Sequence, residues 1–158
     1  MATLEQLEVD GVLSRAFPKL VPQVRQIWVT ANVGAWIKNE LANQTAIPRP
    51  GEGDPVRPLV QAKVLFERFI TGKEMFHSED FWLMRPEEDD VFELKSDDVR
   101  FFGWFPERRK FLIAAANSME NCHTYKLHDG YRNEVKHIRN GMDLSPKLVV
   151  GAEPKDVL

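Results

Sequence analysis

The stretch Val99–Ala116, "VRFFGWFPERRKFLIAAA", decides the architecture. Residues 99–105 carry apolar side chains at both alternating sets of positions, the pattern of a central strand covered on both faces. Residues 110–116 read as the returning strand, with small residues at 114–116 that leave room for close packing. Gly103 in mid-strand signals a bulge or a close approach by another group. Pro106 suits the second position of a type I turn. Yet the hairpin carries Arg100 inside a strand and Arg108, Arg109 and Lys110 at its tip.

A hairpin needs neighbours, and the segments before it supply them. "VFELK" at 91–95 alternates, with Val91, Glu93 and Lys95 opposite Phe92 and Leu94. "EDFWLM" at 79–84 is a further short strand, ended by Pro86, and acidic turns separate these runs. Residues 58–71 form a helix entered through Pro58 and stopped by Gly72. Residues 126–142 form an amphipathic helix whose Leu127, Tyr131, Val135, Ile138 and Met142 share one face. His128, Arg132, Lys136 and Arg139 make a second stripe on it.

The first part of the chain is read as helical. Residues 3–16 form a short helix broken by Pro18 and Pro22, and helical spacing returns from Val21 to Ala42. "AIPRPGEGDPVRP" at 46–58 holds four prolines and two glycines and reads as a linker or long loop. The tail after Met142 contains two prolines and reads as extended. The expected fold is therefore α+β: a small antiparallel sheet packed by helices, with an N-terminal helical extension (1–45), a linker (46–58) and a main domain (59–158).

With 158 residues, 43% apolar and 28% charged, the composition is that of an ordinary folded domain. No apolar run reaches the ~20 residues of a membrane helix, and "MATLEQLEVDGVL" lacks a basic region ahead of an apolar stretch. A cytoplasmic protein with no membrane partner is expected. The single cysteine, Cys122, excludes an intrachain disulfide. Gly-rich phosphate loops, the GxSxG elbow and HExxH are all absent. Cys122, His128 and His137 do not follow structural zinc spacing, so neither metal nor cofactor is expected. Cys122 is read as a structural thiol, and Trp28, Trp36, Trp82 and Trp104 as packing residues.

Charge is uneven beneath the net −3. Residues 74–98 hold ten acidic against two basic residues, and residues 99–140 hold eight basic against four acidic ones together with His123, His128 and His137. Taken singly, Arg100 reads as an ion pair with Glu93, Asp97 or Asp98, the hairpin tip as a solvated turn, and the stripe as a solvated helix face. Taken together, they read as an anion site if the last helix lies against the hairpin. Metal-free RNA cleavage needs a base for the 2′-OH, cations on the scissile phosphate and an acid for the leaving oxygen. Arg100 suits the phosphate, and His128 or His137 suits the proton transfers. Arg108, Arg109, Lys110, Arg132, Lys136 and Arg139 are the candidate supporting phosphate binders.

Over residues 59–139 the chain resembles the RelE/HigB class of toxins and their phage-derived relatives. Phe92-Glu93-Leu94-Lys95 followed by a tight turn and Val99-Arg100-Phe101-Phe102 carries the resemblance, together with the apolar strand "KFLIAAA" and the basic helix beyond it. The resemblance implies a small curved antiparallel sheet with helices on one side, and metal-independent action on mRNA or translation. The implied partners are RNA or the ribosome and an antitoxin-like protein. The family's usual first strand, ahead of two helices, is not evident before residue 20. The other reading is a non-enzymatic, phage-related interaction module, whose partner site would show as an exposed apolar patch near Trp28 and Trp36. A DNA-binding accessory role would need a helix-turn-helix, and none is visible.

Overall fold

The computed structural model describes residues 1–17 and 22–158. Pro18 and Val21, where the first helix was expected to break and the second to begin, lie outside the described residues. Six strands form one open sheet: β1 (Leu13–Arg15), β2 (Gln26–Thr30), β3 (Phe81–Leu83), β4 (Phe92–Lys95), β5 (Val99–Glu107) and β6 (Lys110–Ser118). Their order is β1-β2-β6-β5-β4-β3. Neighbours are antiparallel except β2 and β6, which run parallel with Gln26 opposite Lys110 and Val29 opposite Ile113. The α+β class stands, with a mixed rather than wholly antiparallel sheet.

Residues 1–45 are not a helical extension. Helix α1 (Leu4–Val9) is closed by a capping box in which Thr3 and Gln6 exchange side-chain and backbone bonds. Gly11, at φ +76°, then turns the chain into β1. Within the run expected to be helical from Val21 to Ala42, Ala31–Asn39 are helical but Gln26–Thr30 make β2, because Ile27, Trp28 and Val29 are buried on both faces of the sheet beside β6. Consecutive β-branched and aromatic residues mimic helical spacing over so short a window. Thr30 caps α2 (Ala31–Asn39) through its side chain, accepting from the Val33 N–H. A strand therefore does precede two helices, the second being α3 (Pro58–Ile70), which begins on Pro58 and ends before Gly72 at φ +81°. The proline-rich loop between them is tied to the sheet by Arg49, whose Nη2 lies 2.6 Å from the buried Asp98 carboxylate.

Helices α4 (Met119–Thr124), α5 (His128–Gly141) and α6 (Pro154–Val157) complete the chain. The expected helix at 126–142 begins at His128. The tail ends in α6 rather than staying extended: the Val149 N–H donates to Phe105 O, and the Arg109 N–H to Val157 O.

Helices cover both faces, not one. Side-chain alternation along β4 and β5 separates the two cores. Phe92, Leu94, Phe101 and Phe105 pack with Leu65, Phe66 and Phe69 of α3. Phe102 and Trp104 pack on the opposite face with Leu4 and Leu7 of α1 and Val135 of α5. The register of β5 against β6 shifts at Gly103, where an added Cβ would lie 2.0 Å from Leu112 O. Close backbone approach is thus the reason for that glycine. The turn falls at Arg108-Arg109, the latter at φ +65°, while Pro106 sits inside β5 beside a second register shift. The corner is two residues later than the proline suggested, because Glu107 pairs with Lys110 across it.

Candidate functional site

The same alternation that sends Phe92 and Leu94 into the α3 core turns Glu93 and Lys95 toward α4 and α5. Register then sets two rows across this face. Trp82, Glu93 and Phe102 form one row, and Lys95, Arg100 and Asn117 form the next. A depression of about 440 Å³ opens over these rows, walled by Trp82, Arg85, Glu93, Lys95, Arg100, His123 and His128.

Glu93 is its hub. Glu93 is 4% exposed, and its two carboxylate oxygens face different side chains. Oε1 lies 3.4 Å from Arg100 Nε, and Oε2 lies 3.7 Å from His128 Nε2. Arg100 is further held by Nη1, which donates to Val99 O at 3.0 Å and to Ser96 O. Burial pulls its guanidinium below the ordinary value and the Glu93 charge opposes the shift. His128 opens α5, and its ring meets Phe102 edge-on with centroids 5.9 Å apart. His123, exposed on α4, brings a second imidazole to 5.7 Å from it. Beneath them Cys122 is buried, and its thiol is pushed up to about 11 by burial first and the Glu93 charge second, so it is no thiolate nucleophile at neutral pH.

The other expected site residues lie elsewhere. His137 is nine residues beyond His128; at about 100° and 1.5 Å per residue it falls on the opposite side of α5, about 13 Å along the axis, and is exposed. Arg108, Arg109 and Lys110 sit at the far end of β5, about 26 Å from Arg100 at strand rise. Lys110 pairs with Glu107 at 2.9 Å, and Arg109 Nε donates to Leu158 O at 3.3 Å.

The basic stripe of α5 is engaged in holding the helix. Arg132 Nε lies 3.2 Å from the Asp89 carboxylate and Nη1 donates to Arg85 O, while Lys136 Nζ reaches Asp89 at 2.7 Å. Arg139, 7% exposed, donates to the carbonyls of Asp89 and Asp90. The turn before β4 and the basic helix after β6 are thereby clamped together through the Asp89 carboxylate and the carbonyls of Asp89 and Asp90. Arg132, Lys136 and Arg139 are thus held against the turn before β4 rather than gathered over the depression.

Glu93, Lys95, Trp82 and His123 were not among the expected site residues. The alternation of "VFELK" already placed Glu93 and Lys95 on one face, and that was the signal that could have found them. His123 depended on α4, which has no apolar periodicity long enough to show. Among the described residues no cluster of three or more His, Cys, Asp or Glu has the geometry to hold a metal, and no helix is long and apolar enough to cross a membrane. Comparison with protein-family models, with curated proteins and with solved structures finds no match to the chain.

Proposed function

We propose that the chain is a toxin-type protein acting on RNA without a metal ion, through the depression over Glu93, Arg100, His123 and His128. The observation that carries this reading is the meeting of two imidazoles, a buried carboxylate, an arginine and a lysine in one concave surface. Strand β2 followed by α2 and α3 adds support, since it supplies the strand ahead of two helices that the RelE/HigB-like resemblance requires.

The chemistry follows from the residue types. One imidazole takes the proton from a ribose 2′-OH, and the oxygen attacks the adjacent phosphorus. The other imidazole gives a proton to the departing 5′-oxygen, leaving a cyclic phosphate. Glu93 orients His128, while Lys95 and the Arg100 edge outside its internal bonds face the phosphate oxygens. An antitoxin-like protein would neutralise the chain by covering this depression.

The test uses single-stranded RNA and DNA of one sequence, with chelator, alone and with translating ribosomes. RNA is cleaved to cyclic-phosphate ends and DNA stays intact. His128→Ala and His123→Ala each lower the rate by about 10²–10⁴-fold, while His137→Ala does not. Intact RNA with wild-type protein in both settings, and no growth arrest or mRNA loss on induced expression, would sink the reading. One observation favours the non-enzymatic alternative: Arg100 is already engaged by Glu93 and two carbonyls. Trp28 is fully buried and Trp36 packs edge-on against Phe101, and the apolar surface near them is a hollow of about 250 Å³ lined by Val29, Gly34, Ile37, Leu59 and Phe66.

A further inference from the structure

The depression around His128 does not end at Trp82. Trp82 and Arg85 also border a second hollow of about 510 Å³, whose other walls include Met75, His77, Leu83 and Pro154 together with the acidic Glu87 and Glu153. Trp82 differs from the tryptophans that serve the core. Trp28 and Trp104 are fully buried, with Nε1 donating to Gln26 Oε1 and Lys147 O respectively. Trp82 is half-buried on the edge strand β3, with the His77 ring 6.1 Å away. It stands directly opposite Glu93 in the sheet, which puts their Cβ atoms about 5 Å apart. Arg85 has its backbone held by Arg132, through the carbonyl, while its side chain is exposed at the boundary between the two hollows.

An aromatic ring with apolar walls accepts the face of any nucleobase, and a cation beside it suits the linking phosphate. Bases are free to splay into such a hollow only when unpaired. We infer that the second hollow is a nucleobase subsite: Trp82 stacks the base next to the scissile phosphate, Arg85 contacts the intervening backbone, and the substrate class is single-stranded RNA. This rests on the RNA-directed reading of the adjoining depression.

The probe is a 2′-O-methyl single-stranded oligonucleotide, which has no free 2′-OH and cannot be cleaved, with binding read by fluorescence anisotropy. Trp82→Ala weakens binding roughly tenfold, whereas Trp82→Phe keeps most of it. Arg85→Ala, at an exposed position, weakens binding and makes it less salt-dependent. Placing an abasic site at the stacked position costs wild type the same factor and costs Trp82→Ala nothing further. Wild-type affinity in both Trp82 variants, with unchanged circular dichroism, would overturn the inference, as would the absence of any binding by the wild type. The two readings fail separately. Trp82-dependent binding with uncut natural RNA would refute the cleavage and keep the subsite. Cleavage indifferent to Trp82→Ala would do the reverse.

Discussion

The strongest physical commitment concerns Glu93 and Arg100. Their side chains are 5% and 12% exposed, so neither charge is well solvated without the other. Removing one partner of a buried pair costs about 3–5 kcal/mol. Here the 3.4 Å separation is long, and Arg100 keeps two carbonyl acceptors, so Glu93→Gln falls at or just below that range, about 2–3 kcal/mol. For a chain of this length that is a fall in Tm of about 6–9 °C. Arg100→Met strands the Glu93 carboxylate with His128 and costs a similar amount. The double variant should recover about 1.5–2.5 kcal/mol of the summed loss, because replacing both partners leaves no buried lone charge. Urea unfolding of the four proteins measures this, with a constant slope confirming an unchanged unfolding transition. Losses that add to within about 0.5 kcal/mol would refute the argument. Arg100 would then be held by the carbonyls alone, and Glu93 would not be the hub of the site.

Three further predictions come from the same structure. Gly103→Ala places a methyl 2.0 Å from Leu112 O, and the backbone must move, so stability falls by about 3 kcal/mol with the site residues unchanged in identity; a neutral urea midpoint would contradict the close approach. Cys122, pushed up to about 11, has a native thiolate population about two orders of magnitude below that of a free thiol near neutral pH. Iodoacetamide should therefore label it slowly until urea unfolds the chain, and fast native labelling would refute its burial. The same raised value means the folded state keeps its proton longer than the unfolded state, so this group's contribution is lost as pH rises past the ordinary thiol range. Asp80 has the opposite sign. Burial alone would raise its carboxyl, but bonds from Arg68 and the Phe76 N–H outweigh burial and hold it below the ordinary value. Its contribution is present above about pH 4 and is lost as pH falls through the folded value. Asp80→Asn should cost about 1 kcal/mol at neutral pH and almost nothing in strong acid, since Arg68 is a third exposed and partly screened; an equal loss at both pH values would contradict this.

What the sequence by itself determined was local. The alternation at 91–95, the hairpin at 99–118, the helix between Pro58 and Gly72 and the apolar face of α5 all follow from patterns within a dozen residues or so. So does the sharing of one sheet face by Glu93 and Lys95. Tertiary structure decided the rest. The β2 segment is a strand because β6 accepts it in parallel and both faces are covered, and nothing in five consecutive residues announces a distant partner. Which cations remain open to an anion depended on pairing across long separations: Lys136 and Arg139 find Asp89 at 47 and 50 residues' distance. A basic stripe looks identical in sequence whether it faces water, phosphate or an acidic turn. The fold neutralised that stripe against the turn before β4 and left the histidines near Glu93 facing the open depression, because helix geometry carried His137 to the far side of α5 and the α4–α5 corner carried His123 to the near side.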